Sequence, residues 1–167
     1  MSLNILDLDQ AVIIALGSNL GASEDLLEAA LVDLASAGLP ILARSCWWRS
    51  AAWPDPTQPA YRNGVAIVEA NGCPADVMTS LVAVETALGR HRSVRNAPRT
   101  LDLDLIAHGR TILNTPNLTL PHPRAYERRF VMGPLAEIAP GWVHPVVGKT
   151  ADVLARAATV GADAEPA

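Results

Sequence analysis

The stretch that decides the fold is AVIIALGSNLGASEDLLEAALVDLASAGLP, residues 11–40. Its apolar start, residues 11–16, is typical of a buried strand, and the Gly-Ser-Asn run that follows ends that strand. From a Ser23 cap to about Ala37, leucines and alanines recur at helical spacing, so the predicted helix has one apolar face. Gly38 and Pro40 end the helix. The stretch therefore predicts a strand, a helix and a turn, in that order.

The rest of the chain extends this pattern. We predict strands at 41–50 and 63–69 on either side of a Pro-rich loop, a helix from Pro74 to about Leu88, and a strand at 101–107. Short hairpin strands and two further helices, at about 130–138 and after a Thr150 cap, follow. The order β, α, β, β, α, β is typical of a ferredoxin-like α+β sandwich, which has an antiparallel sheet built from split βαβ units. The remaining elements are C-terminal additions.

Length and composition indicate one domain, and they argue against nucleic-acid and membrane partners. We assign 1–10 to an N-terminal extension, 11–158 to the domain and 159–167 to a flexible Ala-rich tail. A net charge of −4 argues against a nucleic-acid partner. The apolar runs are short and no leader pattern is present, so we expect a cytoplasmic monomer that does not bind membranes.

Cys46 and Cys73 fit no CxxC pattern, which favours reduced, buried thiols over a disulfide. His91, His108 and His144 lack metal-ligand spacing and are interpreted as surface or loop residues.

Two carboxylates stand close together in an apolar strand. Asp102 and Asp104 are two residues apart, so in a strand they point to the same face. Two such charges repel each other unless a cation lies between them. Magnesium meets this need, since it is usually held by one or two carboxylates together with phosphate oxygens. The alternative is a strand whose charges simply face solvent.

Arginines cluster beside this pair. Seven of the twelve arginines lie in the segments 90–99 and 124–129, although a compositional bias of the genome would also raise the arginine count. Arg90, Arg92, Arg95 and Arg99 form a polar loop before the Asp strand, and guanidinium groups suit phosphates. Metal ligands beside arginines indicate a polyphosphate substrate, and solvated loop arginines are the alternative. Glu85, in the last turn of a helix, opposes the helix dipole and needs a partner.

A second group combines aromatic rings with an amide. Tyr61 and Asn63 begin a strand after a loop that contains Trp53, and such a pair suits a flat heteroaromatic ring with amide-like edges. An aromatic that caps the core and a turn asparagine are the alternative. His122, Arg128 and Phe130 form a third group, and prolines on both sides of the histidine restrict its backbone.

Four blocks together resemble one family. They are ALGSNLG at 15–21, Tyr61-x-Asn63, PRTLDLDLI at 98–106, and PHPR at 121–124 followed by Arg128-x-Phe130-Val131. These blocks resemble the 6-hydroxymethyl-7,8-dihydropterin pyrophosphokinases. The resemblance implies a ferredoxin-like enzyme of folate biosynthesis that transfers pyrophosphate from ATP to the pterin hydroxymethyl group, releases AMP and uses two Mg²⁺ ions.

The resemblance also implies residue roles. Asp102 and Asp104 would hold the metal ions, and Arg90, Arg92 and Arg99 would be catalytic and neutralise the polyphosphate. The residues of the ATP site would be Glu85, Arg99, Thr119, His122 and Arg128. The pterin would stack between Tyr61 and Phe130, and its polar edge would meet Asn63 and the loop from Ser50 to Trp53.

Two other functions also fit parts of the pattern. A two-metal nucleotidyltransferase uses a Gly-Ser turn and an Asp-x-Asp pair, but there the two motifs lie close in sequence. Here Gly17 and Ser18 lie far from Asp102 along the chain. A noncatalytic ferredoxin-like sensor of small molecules would need no metal pair beside an arginine cluster.

Overall fold

A computed structural model describes residues 7–19, 23–52, 55, 57–89 and 101–167. The strands are β1 (Val12–Ser18), β2 (Ile41–Arg44), β3 (Trp48–Ser50), β4 (Tyr61–Val68), β5 (Asp102–His108), β6 (Leu113–Asn114), β7 (Thr119–Leu120) and β8 (Glu165–Pro166). The helices are α1 (Ser23–Ser36), α2 (Pro74–Gly89), α3 (Arg129–Ile138) and α4 (Ala151–Ala157), with short 3-10 helices at Leu8–Gln10 and Ala125–Glu127.

The main sheet confirms the predicted ferredoxin-like α+β architecture. Its strand order is β5-β1-β4-β3-β8, β2 also pairs with β4, and the pairs are antiparallel. The order of elements from β1 to β5 is the predicted one except that two short strands, β2 and β3, replace the single strand predicted at 41–50, and α1 and α2 are the two crossover helices. β6 and β7 form a separate hairpin, as the sequence indicates for the segment after β5.

Each face of the sheet buries its own apolar layer, because side chains alternate along a strand. Ile14 and Leu16 of β1 join the helix residues Leu27 and Leu81 on the face covered by α1 and α2. On the other face, Ile13, Ala15 and Val65 pack with residues of α3 and α4. The C-terminal additions therefore cover the sheet face that the two crossover helices leave open.

The prediction of one continuous strand at 41–50 is wrong, since two short strands occupy this stretch. Between β2 and β3, the N–H of Ser45 donates to the Val65 carbonyl, while the Ser45 hydroxyl accepts from the Val65 N–H. The Trp47 ring lies against the backbone of Gly64, where a Cβ would come within 2.4 Å of it. A side-chain oxygen has replaced a backbone carbonyl as acceptor, and the strand is interrupted there.

Two sequence interpretations about polar side chains also need correction. Cys46 and Cys73 are free thiols as expected, but they are exposed. His144 is buried, with 4% of its surface exposed, between the ring edges of Tyr126 and Trp142. Its Nδ1 atom accepts hydrogen bonds from the N–H groups of Val146 and Val147, which a surface assignment did not foresee. Burial lowers the pKa of His144, so the ring stays neutral.

The last residues of the chain lie along the sheet edge. β8 pairs with β3, and the N–H of Ala167 donates to the Trp47 carbonyl. Whether this stretch is flexible, and where the domain begins and ends, stay predictions. Among the described residues, no helix is both long and apolar enough to cross a membrane.

Candidate functional site

One row of residues crosses four neighbouring strands at the same end of the sheet. Asp102 of β5 lies opposite Gly17 of β1, Gly17 lies opposite Asn63 of β4, and Asn63 lies opposite Trp48 of β3. Residues directly opposite in an antiparallel pair share a face. The metal-ligand candidate Asp102 and the pterin candidate Asn63 therefore face the same side, two strand spacings apart, which is about 10 Å.

The carboxylate pair lies on this same face. Asp104 is opposite Ala15, whose side chain belongs to the layer under α3 and α4. Asp102 and Asp104 are both partly exposed, whereas Leu103 between them and the residues 105–107 after them are buried. Within the described ranges no group of three or more potential metal-ligating side chains occurs. A pair of carboxylates suits Mg²⁺, which completes its shell with phosphate and water, better than it suits a metal that needs a full protein cage.

Glu85 supports the carboxylate strand from α2. Its Oε1 atom accepts a hydrogen bond of 2.7 Å from the backbone N–H of Leu103, the residue between the two aspartates. This bond identifies a partner for the acidic residue that the sequence places in the last helical turn. Glu85 thereby holds β5 against α2 at the residue between the two aspartates.

The predicted pterin residues Ser50 and Asn63 are in direct contact. Asn63 Nδ2 donates to Ser50 Oγ at 3.0 Å, and both side chains are buried. A Cβ at Gly17 would lie 3.1 Å from Asn63 Oδ1, so the glycine leaves room for the amide beside β1. The amide of Asn63 is therefore held in one orientation before any ligand binds.

Two aromatic residues are the candidates for stacking on the pterin. Tyr61 lies two residues before Asn63 on β4, so it faces the same side, and it is opposite Ser50 in the strand pair. Phe130 lies in the first turn of α3 and is partly exposed. The Arg128 guanidinium lies over the Phe130 ring at 5.8 Å from its centroid. A residue predicted to bind ATP therefore contacts a residue predicted to stack on the pterin.

His122 is brought to the carboxylate end of the sheet. Its backbone N–H donates to the Ile106 carbonyl of β5 at 2.8 Å, and its ring atom Nδ1 accepts from the backbone N–H of Arg124. Burial lowers the pKa of His122, Arg128 and Arg124 lower it further, and Asp102 opposes them. Because Nδ1 is an acceptor, the neutral ring carries its proton on Nε2. Thr119 lies just upstream, in β7, and is partly exposed.

Four predicted site residues lie outside the described residues. They are Trp53 of the pterin loop and the three arginines assigned to catalysis, Arg90, Arg92 and Arg99. Their roles rest on the sequence alone.

Sequence reasoning missed two carboxylates that contact β3 and its surroundings. Glu137 of α3 accepts from the N–H of Cys46 and from Trp48 Nε1. Burial raises the pKa of Glu137, but the hydrogen bonds from Cys46 and Trp48 outweigh it and hold that pKa below its usual value. Asp163 accepts from the N–H of Ala51, directly after Ser50. Neither acid belongs to a motif, so only the folded chain reveals these contacts.

Comparison with known proteins shows the family of the chain. Residues 13–140 match the family model described as 7,8-dihydro-6-hydroxymethylpterin-pyrophosphokinase (HPPK). The chain therefore belongs to this family and is an enzyme of the pyrophosphokinase class.

Individual relatives support the family assignment. A 2-amino-4-hydroxy-6-hydroxymethyldihydropteridine pyrophosphokinase of Synechocystis is 44% identical over 139 residues, which cover 83% of this chain and 71% of that protein. The enzyme of the same name from Pseudomonas aeruginosa is 40% identical over 134 residues, 78% of this chain and 82% of the relative. A crystal structure of Plasmodium falciparum HPPK-DHPS matches with a TM-score of 0.70 at 11% identity. That match covers 87% of this chain and 44% of the solved one, and it shows the fold alone.

Proposed function

We propose that the row from Asp102 to Asn63 is where this chain joins its two substrates. The reaction is the transfer of pyrophosphate from ATP to the hydroxymethyl group of 6-hydroxymethyl-7,8-dihydropterin, a step in folate biosynthesis. The observation that carries the assignment is the strand register, which puts a carboxylate pair and a buried amide on one face of the sheet. One half of the row suits a charged nucleotide, and the other suits a flat neutral ring.

The pterin half binds by stacking and by hydrogen bonds. Tyr61 and Phe130 supply the aromatic faces, and Asn63 supplies a donor and an acceptor for the amide-like edge of the pterin. Ser50 keeps the Asn63 amide in place through the bond at 3.0 Å. The resemblance also assigns Trp53, which lies outside the described residues, to the polar edge of the pterin. The pterin hydroxymethyl group then points along the row toward β5.

Asp102 and Asp104 are the residues that would hold two Mg²⁺ ions. Their partly exposed oxygens and their position on one face of β5 fit this cation. When bound, Mg²⁺ neutralises charge on the ATP phosphates and helps to keep them in line for transfer.

The nucleotide half surrounds the phosphates with positive and neutral donors. Arg90, Arg92 and Arg99 neutralise the polyphosphate and stabilise charge that develops during transfer. Arg128 and Thr119 contribute further donors, and Glu85 fixes the strand that carries the aspartates. His122, whose Nδ1 accepts from the Arg124 N–H, offers its Nε2–H as a further donor.

The transfer itself requires no nucleophile from the protein. The pterin hydroxyl oxygen forms a bond to the β-phosphorus of ATP, the bond from that phosphorus to the α–β bridging oxygen breaks, and AMP leaves with the electron pair. The hydroxyl proton passes to solvent. Positioning and charge stabilisation are what the side chains supply.

The same proposal includes the state of the enzyme. A domain with its own core can fold as a monomer, and we propose that this monomer acts in the cytoplasm. Light scattering of the purified chain, and fractionation of the cells that make it, test these two points.

One assay tests the proposal as a whole. Purified chain is incubated with ATP in four mixtures, with and without Mg²⁺ and with and without the pterin alcohol, and nucleotides are separated by chromatography. We expect AMP only when both are present. AMP formed without the pterin would indicate nucleotidyl transfer or hydrolysis, and metal-free ATP binding without turnover would indicate a sensor.

A further inference from the structure

The last nine residues, Thr159–Ala167, lie against the pterin half of the site. We name them the C-terminal segment. A parallel backbone bridge joins Val160 to Arg128: Val160 N–H donates to the Glu127 carbonyl, and Arg129 N–H donates to the Val160 carbonyl. The segment is therefore tied to the chain directly before Phe130.

Within the segment, Gly161 lies against the Phe130 ring. A Cβ at Gly161 would approach Phe130 Cδ1 to 2.5 Å, so the glycine backbone packs where a side chain has no room. Gly161 also has a φ of +66°, a conformation that favours glycine. Ring and glycine thus fit closely on the side of Phe130 that faces the segment.

The segment then reaches the start of the pterin loop. Asp163 Oδ2 accepts from the N–H of Ala51 at 2.8 Å, one residue after Ser50. Arg129 Nε donates to the Ala164 carbonyl at 2.9 Å, and Ala164 is buried. β8 completes the attachment by pairing with β3. One short segment therefore contacts both Phe130 and the backbone beside Ser50.

We propose that the C-terminal segment is a positioning element for pterin binding, through the Gly161 contact with Phe130 and the bond from Ala51 to Asp163. This inference rests on the proposed function, because it takes Phe130 and the backbone beside Ser50 as part of the pterin site. A ring and a backbone stretch that are already held in place lose less conformational entropy when the ligand binds. The segment therefore acts mainly on pterin affinity, with a smaller effect on ATP affinity through its backbone bridge to Arg128.

Two glycine variants separate the ring contact from backbone strain. Gly161→Ala adds a methyl group against Phe130 at positive φ. Gly148→Ala places the same methyl group at a φ of +73°, where no atom lies within 4 Å. We expect both variants to lose thermal stability, but only Gly161→Ala to raise the pterin Kd, by about fivefold or more. Equilibrium titration with the pterin alcohol, and separately with ATP, measures both affinities.

A second pair tests the loop contact without disturbing the glycine. Asp163→Ala removes the acceptor for the Ala51 N–H, whereas Asp163→Asn keeps an oxygen acceptor. We expect Asp163→Ala to raise the pterin Kd and KM with nearly unchanged kcat, and Asp163→Asn to recover most of the loss. Glu165→Ala removes a carboxylate from the same segment and serves as the matched control, with pterin affinity like the wild type.

The outcomes separate this inference from the proposed function. If the wild type forms AMP with the pterin while Gly161→Ala and Asp163→Ala bind pterin as tightly as their controls, the segment has no positioning role. An equal loss of ATP affinity in these variants would also overturn it. If the wild type forms no AMP with the pterin, the proposed function is wrong and the inference falls with it. Should Gly161→Ala not fold, the Asp163 pair decides alone.

Discussion

The two halves of the candidate site are built differently. In the pterin half, Ser50 binds Asn63, and the ring of Phe130 packs on Gly161, so neutral contacts within the chain fix the positions of the residues. In the proposed nucleotide half, two carboxylates stand two residues apart on β5, a charged arrangement that a bound cation would stabilise. We therefore propose that one half is arranged before its ligand binds, and that the other would be completed by it.

This difference predicts how each half responds to conditions. Neutral hydrogen bonds and stacking depend little on ionic strength, whereas charges near the surface are screened by salt. Pterin affinity should therefore change little with salt, and ATP affinity should fall as salt rises or Mg²⁺ is removed. Variants of single residues make the comparison sharper.

The largest effect is expected at Asp104. Asp104→Asn should reduce turnover by roughly a hundredfold or more, because a metal ligand is lost. Its thermal stability in metal-free buffer should be unchanged or slightly higher, since one source of like-charge repulsion is removed. AMP release and thermal unfolding with a chelator measure the two effects, and Asp33→Asn in α1 is the control. Marked destabilisation without metal would show that Asp104 has a structural hydrogen-bonding role.

The next effect concerns Arg99, whose role rests on the sequence. Arg99→Ala should lower kcat at least tenfold, about 1.4 kcal/mol of transition-state stabilisation, with a smaller change in ATP affinity. Arg99→Lys should recover only part of it, because a point charge does not replace a bidentate group. Single-turnover kinetics and ATP titration measure both quantities, with Arg156→Ala as a surface control. An unchanged chemical step in Arg99→Ala would refute the assignment.

Phe130 tests the pterin half. Phe130→Ala should weaken pterin binding by about tenfold and leave ATP affinity nearly unchanged, because a stacking face holds substrate and transition state about equally. Stopped-flow binding of each substrate measures this. Normal pterin binding by Phe130→Ala would remove the residue from the site, even though the family assignment would stand.

The smallest effect is expected at Ser50. Ser50→Ala removes the acceptor for Asn63 Nδ2. Loss of one neutral hydrogen bond, about 1 kcal/mol, should raise the pterin KM about fivefold and leave kcat close to that of the wild type. Steady-state kinetics provides the measurement, and Ser36→Ala at the end of α1 is the control. An effect on ATP affinity instead would mean that the two halves are not separate.

The sequence predicts the fold well because local signals agree with the sheet. The Gly38 stop of the first helix and the apolar run of β1 are each visible in a few residues. The break at Ser45 is not, since it depends on a hydroxyl that meets Val65, twenty residues away. The same reason explains why Glu137 and Asp163 were missed. Their partners lie 91 and 112 residues away along the chain, and no periodicity records such contacts.

The paired strands at the centre of the site set the distance between its two halves. β1 separates the carboxylates of β5 from the amide of β4, and its width is set by backbone hydrogen bonds that every residue type except proline can form. The strand spacing therefore does not depend on the side chains of β1, although Gly17 must stay small to leave room for the Asn63 amide. Inserting a single residue in β1 would move the side chains beyond the insertion to the opposite face of the sheet. The register that aligns β5 with β4 across β1 would then be lost. Such tolerance fits the similarity of fold, with a TM-score of 0.70, between this chain and one that is only 11% identical to it in sequence.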